Sequence, residues 1–206
     1  MIFQHLNSTV SSLAIIRTLT ISLLVSASAS LTLLPSSPAF AEPKPAPDIV
    51  GNQTDLVLNG FATRKFLFMV DVYVGSLYVE RKSRDPRALM SANEHRVMQF
   101  DMLRDVRGRR IANAFYEGMQ LNVSPEKINE LEPQIGQLLT MFDQKLETGD
   151  TAIVEYVPDL GTRVVLAGEV KGVIPGKELF DAILSIWIGD YPVSETFKEG
   201  ILGLES

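Results

Sequence analysis

The stretch Lys65–Glu80, KFLFMVDVYVGSLYVE, is dense in phenylalanine, valine and tyrosine, which favour β-strands. It predicts one long strand, with Gly75 as a bulge or bend because the stretch exceeds the usual strand length. Apolar residues occupy both faces, so we expect this strand to be central in the sheet and sandwiched between other layers. A shorter apolar run, Asp55–Leu58, precedes it and ends at the turn dipeptide Asn59-Gly60.

Along the whole chain the predicted order is strands, two helices, strands and two helices. That order is typical of an α+β fold with a mostly antiparallel sheet, not of a doubly wound one. The predicted elements are a loop with a short helix (Arg81–Glu94), a half-buried strand (Arg96–Asp105), a helix (Arg107–Gln120), a helix capped by Ser124 and kinked or delayed by Pro133, three short strands (Asp150–Gly176) and two helices (Lys177–Ile188 and Pro192–Leu202).

The first 41 residues have the features of a cleavable signal peptide. Arg17 is their only charged residue, and the mostly apolar stretch Leu19–Leu34 follows it. Ala39-Phe40-Ala41 then gives a small-residue cleavage signature before Glu42. A retained membrane anchor is the alternative, but the apolar stretch is short and rich in serine. We therefore expect a signal peptide at residues 1–41, a proline-rich linker at 42–52, one domain at 53–206 and a periplasmic or secreted protein.

Composition excludes several kinds of site. The 206 residues include no cysteine, which excludes a thiol nucleophile, a disulfide and a cysteine zinc site. The two histidines are His5 and His95, so only His95 remains after cleavage and a multi-histidine metal site is excluded. A serine triad could use only His95. The formal net charge of −6 argues against nucleic acid as the main partner.

Arg64, Asp71 and Tyr73 are polar residues in or beside the long apolar stretch. Burying such groups without partners is costly, so they need an explanation. One hypothesis is a pocket in which Arg64 pairs with an anionic ligand head and Tyr73 donates a hydrogen bond. The other is an internal Arg64–Asp71 pair, with Tyr73 packed in the core. Both hypotheses need a bulge or bend in the strand, because a regular strand puts Arg64 and Tyr73 on opposite faces.

Other polar or aromatic residues carry weaker signals. The segment Arg104–Arg110, RDVRGRR, could bind phosphate or an anionic surface, but such a run is more often a solvated loop and helix start. We expect His95 at the surface and Trp187 in the core. The carboxylates of the Ser124 helix are expected to form a solvated face, and they are Glu126, Glu130 and Glu132.

Three stretches together resemble the chalcone isomerase-like family, in particular its exported bacterial members. They lie in the family's order, and the Gly161-Thr162 turn and the segment Gly172–Gly176 support the match. The three stretches are LNGFATRKFLFMVDVYVGSLYVE (Leu58–Glu80), RRIANAFYEGM (Arg109–Met119) and LFDAILSIWIGDYPVSETFKEGILG (Leu179–Gly203).

The resemblance implies an open-faced β-sandwich, an antiparallel sheet with helices packed on it and a pocket between them. Some family members cyclise chalcones to flavanones, and others bind fatty acids through an arginine and a tyrosine. By resemblance, Arg64 is the pocket arginine, Tyr73 falls where the fatty-acid binders have a tyrosine, and Asn113 matches a family asparagine. The catalytic tyrosine of the isomerases is missing from the Arg104–Gly108 stretch. Their late pocket hydroxyl falls near Ser185 or Ile186.

We therefore predict an exported, non-catalytic binding protein for a fatty acid or a similar small amphipathic acid. Arg64, Tyr73 and Asn113 are the predicted ligand-binding residues, with no catalytic residue, no metal and no cofactor. The apolar wall is expected to include Phe66, Phe68, Val70 and Phe115. The alternatives are an isomerase of the chalcone–flavanone type, which would use Arg64 and Tyr73 with water, and an interaction module whose pocket its own side chains fill.

Overall fold

The structure is a computed structural model that describes residues 56–67 and 69–204. The predicted signal peptide and linker, residues 1–41 and 42–52, lie outside the described residues. Within the described ranges, no helix is both long enough and apolar enough to cross a bilayer.

The described chain forms strands and helices in the order that the sequence predicts, with two additional short strands. The strands are β1 (Val57–Phe66), β2 (Val70–Val79), β3 (Arg96–Met102), β4 (Val106–Arg107), β5 (Lys145–Leu146), β6 (Thr151–Val157), β7 (Gly161–Leu166) and β8 (Glu169–Ile174). The helices are α1 (Pro86–Ser91), α2 (Gly108–Asn122), α3 (Pro125–Glu130), α4 (Glu132–Met141), α5 (Glu178–Ile188) and α6 (Glu195–Ile201).

A six-stranded antiparallel sheet in the order β1-β2-β3-β6-β7-β8 organises the domain. The strand pair β4–β5 lies apart from it. Helix α5 packs on β6 and β7, α6 on β1 and β2, and α4 on β8, while α2 packs on α4 and α5. The α+β class and the open-faced sandwich are therefore confirmed.

The long strand predicted over Lys65–Glu80 is wrong, because the chain reverses inside it. Strand β1 ends at Phe66, and the backbone N–H of Met69 donates to the Phe66 carbonyl at 3.2 Å to form a tight turn. Strand β2 then runs back antiparallel to β1. The turn was hidden because its residues are apolar and include none of the glycine, proline, asparagine or aspartate that usually mark turns.

The turn predicted at Asn59-Gly60 is also wrong, since both residues lie inside β1 at a register shift. The Asn59 side chain donates to the Ile201 carbonyl at 2.8 Å and accepts from the Ser83 N–H at 2.8 Å. At Gly60, a Cβ would lie 2.1 Å from the carbonyl oxygen of Gly200. The two residues thus allow helix α6 to pack directly against the backbone of the edge strand.

Gly75 does not mark the predicted bulge or bend. It pairs in regular register with Ala62 and Phe100, and a Cβ there would lie 2.5 Å from the ring of Phe197. Close packing of α6 on the sheet therefore explains this glycine. The prediction of a central position holds for β2, which is an interior strand flanked by β1 and β3.

Strand β3 is buried along its whole length, and the prediction of a half-buried strand is wrong. Its alternate residues Gln99 and Asp101 lie on the sheet face that turns away from the helices. Gln99 donates to Asp101 at 3.1 Å, and Thr151 donates to the same carboxylate at 2.9 Å. Polar residues are buried here because they are hydrogen-bonded to one another.

His95 belongs to the same polar face, and the prediction that it lies at the surface is wrong. Its side chain is only 9% exposed, and Nε2 lies 3.0 Å from a carboxylate oxygen of the fully buried Glu155. Arg163 pairs with the second oxygen of that carboxylate. Ion pairing across β6 and β7 thus holds an acidic side chain in the middle of the sheet.

Arg96 is the first residue of β3, and its side chain fills the space between the sheet and the helices there. Its guanidinium lies 5.2 Å from the ring centroid of Tyr156 and 4.9 Å from that of Phe180. It donates to the Leu89 carbonyl at 2.6 Å and to Asp181 at 3.1 Å. Burial lowers the pKa of Arg96, and Asp181 opposes that effect. This buried cation joins β3, α1 and α5.

The predicted helices and their caps are confirmed. Ser124 accepts from the Lys127 N–H at 3.3 Å at the start of α3, and Ser194 caps α6 in the same way. The helix that starts after Ser124 is interrupted at Leu131, and a second helix, which contains Pro133 in its first turn, follows. This interruption is the effect that Pro133 predicts. Glu126, Glu130 and Glu132 are exposed, and Trp187 is buried.

Replacing Gly60 by alanine should destabilise the domain by about 1–3 kcal/mol, because the new methyl group collides with the backbone of α6 rather than with a movable side chain. Gly136→Ala is the matched control. It lies on an exposed face of α4 with nothing within 4 Å of the added Cβ, and it should stabilise by about 0.5–1 kcal/mol. Urea unfolding of both variants measures the difference. Equal midpoints would contradict the contact between β1 and α6.

Candidate functional site

A cavity of about 680 Å³ lies between the sheet and the helices at the end of the sheet opposite Arg96. Its size is within the range of small-molecule sites. The apolar part of its wall comes from both layers and includes Phe100, Val154, Phe115, Phe142, Ile186 and Trp187. The hairpin between β1 and β2 supplies Phe66 and Val70 at one side.

The β1–β2 hairpin brings Arg64 next to Tyr73. The two residues are direct cross-strand partners, and Tyr73 is in turn the partner of Met102 on β3. All three line the cavity. The convergence that the pocket hypothesis needs is therefore supplied by a chain reversal together with the register shift between Arg64 and Lys65.

Tyr73 presents its hydroxyl group near the indole of Trp187. Trp187 Nε1 donates to the Tyr73 oxygen at 3.1 Å. Burial raises the pKa of Tyr73 to about 12, and the Trp187 hydrogen bond and the positive charge of Arg64 lower it only in part. Among the described residues none accepts the Tyr73 proton, so the hydroxyl can donate a hydrogen bond into the cavity.

A cluster of aromatic rings fixes the position of Tyr73. Its ring packs edge-on against Phe100 and Phe197, with centroids 5.3 and 5.8 Å apart. Trp187 lies 4.9 Å from Phe100 and 5.4 Å from Phe115. Rings held on two sheet strands and three helices are rigid, so the phenol is pre-oriented. Trp187 is thus core and cavity wall at once, whereas helical spacing predicts only its core role.

Four arginines line the cavity, and they are Arg64, Arg104, Arg107 and Arg110. Arg64 is half-buried and donates to the Lys65 carbonyl, whereas the other three are exposed. Within residues 56–67 and 69–204, no carboxylate lies within ion-pair distance of any of the four. Unpaired cations beside an apolar wall favour the binding of an anionic amphiphile.

Asp105 is the carboxylate of the cavity wall, and it is engaged elsewhere. It accepts from Lys145 at 2.9 Å and from the Thr148 N–H at 3.0 Å, and these bonds lower its pKa. The first turn of helix α2, between Arg107 and Arg110, contains no acidic residue and no side-chain cap. Basic groups at a helix N-terminus are electrostatically unfavourable. A bound anion beside Arg107 and Arg110 would offset this effect.

The structure places the other sequence-predicted residues outside the cavity wall. Asn113 is exposed on α2 and is not among the residues that line the cavity, so its assignment rests on the resemblance alone. Asp71 pairs with Lys65 at 2.6 Å, which corrects the alternative of an Arg64–Asp71 pair. Phe68 lies outside the described residues.

Two positions that the resemblance matches to isomerase hydroxyl groups, the catalytic tyrosine and the late pocket hydroxyl, offer no hydroxyl group to the cavity. Of the two candidates for the late pocket hydroxyl, Ile186 lines the cavity, whereas Ser185 is buried and donates to the Ala182 carbonyl at 2.7 Å. Arg104 and Arg107 line the wall where the family tyrosine is missing. In the described residues, Tyr73 is the one tyrosine of the wall, and no group of three or more histidine, aspartate or glutamate residues could hold a metal ion.

Comparison with known proteins identifies the fold independently. The sequence model of a family described as chalcone isomerase-like matches residues 40–203. The chain belongs to the chalcone isomerase-like family. The family match begins beside the predicted cleavage position before Glu42. No curated protein matches the chain.

A solved structure with a similar fold is the crystal structure of a fatty-acid binding protein from Arabidopsis thaliana. The two share 17% sequence identity with a TM-score of 0.57, over 71% of this chain and 86% of that one. At this identity the likeness establishes the chalcone isomerase-like fold, and residue roles must come from the geometry of the cavity.

The buried phenol of Tyr73 should make stability fall at alkaline pH. The folded pKa of about 12 exceeds the ordinary value of 10.0, so the folded state keeps a proton that the unfolded chain releases between these values. The wild type should lose about 1 kcal/mol relative to Tyr73→Phe by pH 11. Urea unfolding from pH 8 upward measures this, with Tyr191→Phe as the control for an exposed phenol. Parallel curves for wild type and Tyr73→Phe would contradict the burial.

Proposed function

We propose that this protein binds a small amphipathic acid, such as a fatty acid, in the cavity between its sheet and helices, without catalysis. The observation that carries this proposal is an apolar cavity whose polar side includes a protonated tyrosine and four arginines that pair with no carboxylate of the described residues. The fatty-acid binding of the Arabidopsis protein of the same fold supports the ligand class. The ligand's chain would lie along the aromatic wall and its carboxylate beside Arg64.

Arg64 and Tyr73 are assigned different roles in this proposal. Arg64 is the cation closest in register to the phenol, and it provides charge neutralisation. Tyr73 donates its proton to one carboxylate oxygen while Trp187 holds the phenol oxygen in place. The exposed Arg104, Arg107 and Arg110 raise the local concentration of anions by long-range attraction.

The isomerase alternative lacks a supporting observation in the cavity. Cyclisation of a chalcone requires ordered donors that polarise a ketone. Here arginines stand where the family tyrosine is missing, and Ile186 lines the wall near the position of the late hydroxyl. A cyclisation assay with the wild-type protein should therefore show no rate above the buffer background.

We also propose that the protein is exported and that cleavage precedes Glu42. The start of the family match at residue 40 supports a domain boundary there. Intact mass and N-terminal sequencing of the protein recovered from its own cells test this proposal, and recovery of the chain with residues 1–41 attached would favour the retained anchor.

Arg64→Ala should weaken the binding of a fatty acid about tenfold to a hundredfold, because a hydrogen bond to a charged group contributes about 1.5–3 kcal/mol. Tyr73→Phe should weaken it about fivefold through the loss of one neutral donor. Titration calorimetry with a soluble medium-chain fatty acid measures both dissociation constants.

The matched control for Arg64 is Arg109→Ala. Arg109 is exposed, belongs to the same arginine-rich segment as Arg110 and does not line the cavity. It should leave the dissociation constant within about twofold of the wild type. If Arg64→Ala and Arg109→Ala bind equally well, the assignment of Arg64 as the carboxylate anchor is wrong.

A further inference from the structure

The turn between β1 and β2 exposes an apolar surface at the mouth of the cavity. Phe66, Leu67 and Met69 are 58%, 67% and 82% exposed. Single exposed apolar residues are normal on a protein surface, but several at one protruding turn form a patch. Here the patch lies where polar turn residues are the rule.

Leu67, in this patch, has a backbone conformation that is unfavourable for leucine. Its φ of 49° lies in the left-handed region, which asparagine and glycine adopt far more readily than leucine. Because the side chain is exposed, packing within the described residues does not repay this strain. An apolar side chain kept in a strained and exposed position is explained by a contact outside the folded domain.

The apolar tip lies beside the arginines of the cavity. Phe66 and Arg64 belong to both the tip and the cavity wall. The Leu103 N–H donates to the Val72 carbonyl at 2.9 Å, which holds Arg104 next to the first residues of β2. We call Leu67, Met69, Arg104, Arg107 and Arg110 the docking rim. The exposed Leu67 and Met69 lie in the turn between the wall residues Phe66 and Val70, and the three arginines line the cavity.

We propose that the docking rim binds an anionic lipid bilayer, with the hairpin tip inserted among the acyl chains and the arginines on the headgroups. Apolar insertion and attraction to anionic lipids together are what peripheral membrane binding needs. The mouth would then open onto the membrane, and an amphipathic ligand could pass without crossing water. Docking itself requires no particular ligand, so this proposal goes beyond the proposed function.

Charge favours a bilayer over a second copy of the chain as the occupant. Two copies joined tip to tip would bring their unpaired arginines face to face, which is repulsive. An anionic bilayer offers negative charge over any area, and it needs no shape complementarity to the protruding tip. The overall net charge of −6 would oppose membrane binding by any other face, so the rim also sets the orientation.

Vesicle flotation with the protein as recovered from its own cells tests the proposal. The vesicles are phosphatidylcholine alone or an equal mixture with phosphatidylglycerol. The tip variant is Leu67→Asn with Met69→Gln, in which asparagine suits the left-handed backbone. The control is Leu160→Asn, which changes a leucine that is 48% exposed in the turn between β6 and β7 at the opposite end of the sheet. All variants are recovered in the same way and carry the same residues before Leu56, so any contribution of that segment is common to them.

The tip variant should reduce partitioning onto the mixed vesicles about tenfold, whereas Leu160→Asn should change it less than twofold. Wild-type binding should fall steeply with added salt and be weak on neutral vesicles. Equal partitioning of wild type and tip variant, or binding that ignores lipid charge and salt, would overturn the proposal. If the tip variant instead abolishes a dimer seen in analytical ultracentrifugation, the tip joins two copies and the proposal is also overturned.

Failure of this proposal can be distinguished from failure of the proposed function. The tip variant leaves Arg64 and Tyr73 unchanged, so its affinity for a soluble fatty acid should equal that of the wild type. Loss of vesicle binding with unchanged ligand affinity supports the docking rim alone. If the tip variant binds vesicles as the wild type does, and Arg64→Ala loses affinity for the fatty acid, the cavity assignment is supported and the docking rim is overturned.

Discussion

The register of the β1–β2 hairpin is the constraint on which the site depends. It pairs Arg64 with Tyr73 and Tyr73 with Met102, and so it places a cation, a phenol and an apolar wall on one line across three strands. A slip of one residue would turn Tyr73 away from the helices and remove it from the indole of Trp187. The aromatic packing around Tyr73 opposes that slip, because three rings would lose contact together. The same interactions that hold the sheet to its helices therefore also align the polar end of the cavity.

Much of the fold can be predicted from the sequence, because most elements begin and end with strong local signals. Ser124 with Pro125 and Ser194 mark helix starts, and the grouping of strands and helices into separate blocks along the chain gives the α+β class. The β1–β2 turn could not be predicted, since its apolar residues fit a strand as well as they fit the tip that they form. His95 could not be placed either. Its burial depends on Glu155, which is 60 residues away in the chain, and no local pattern reports a partner at that distance.

The candidate site was only partly predictable for a related reason. Arg64 and Tyr73 could be singled out because polar residues in an apolar stretch need an explanation, and the structure brings them together. The arginine segment remained open between a solvated run and an anion site, because sequence spacing does not show which surface a loop faces. Trp187 fits a core residue completely, and its second role becomes visible only when β2 lies opposite α5. Asn113 was assigned by resemblance alone, and the face of α2 on which it lies excludes it from the wall.

The contact between β1 and α6 joins the first and the last elements of the domain. The Asn59 amide and the backbone of Gly60 meet Gly200 and Ile201 across more than 140 residues of intervening chain. Ile201 is synthesised 142 positions after Asn59, so the edge strand leaves the ribosome long before the helix that packs on it. Until then β1 presents an open edge of the kind that pairs with other chains. Folding that depends on such distant contacts is slow. Protection of the nascent chain from pairing with other chains is therefore a further requirement, and it follows from the contacts of Asn59, Gly60 and Gly200.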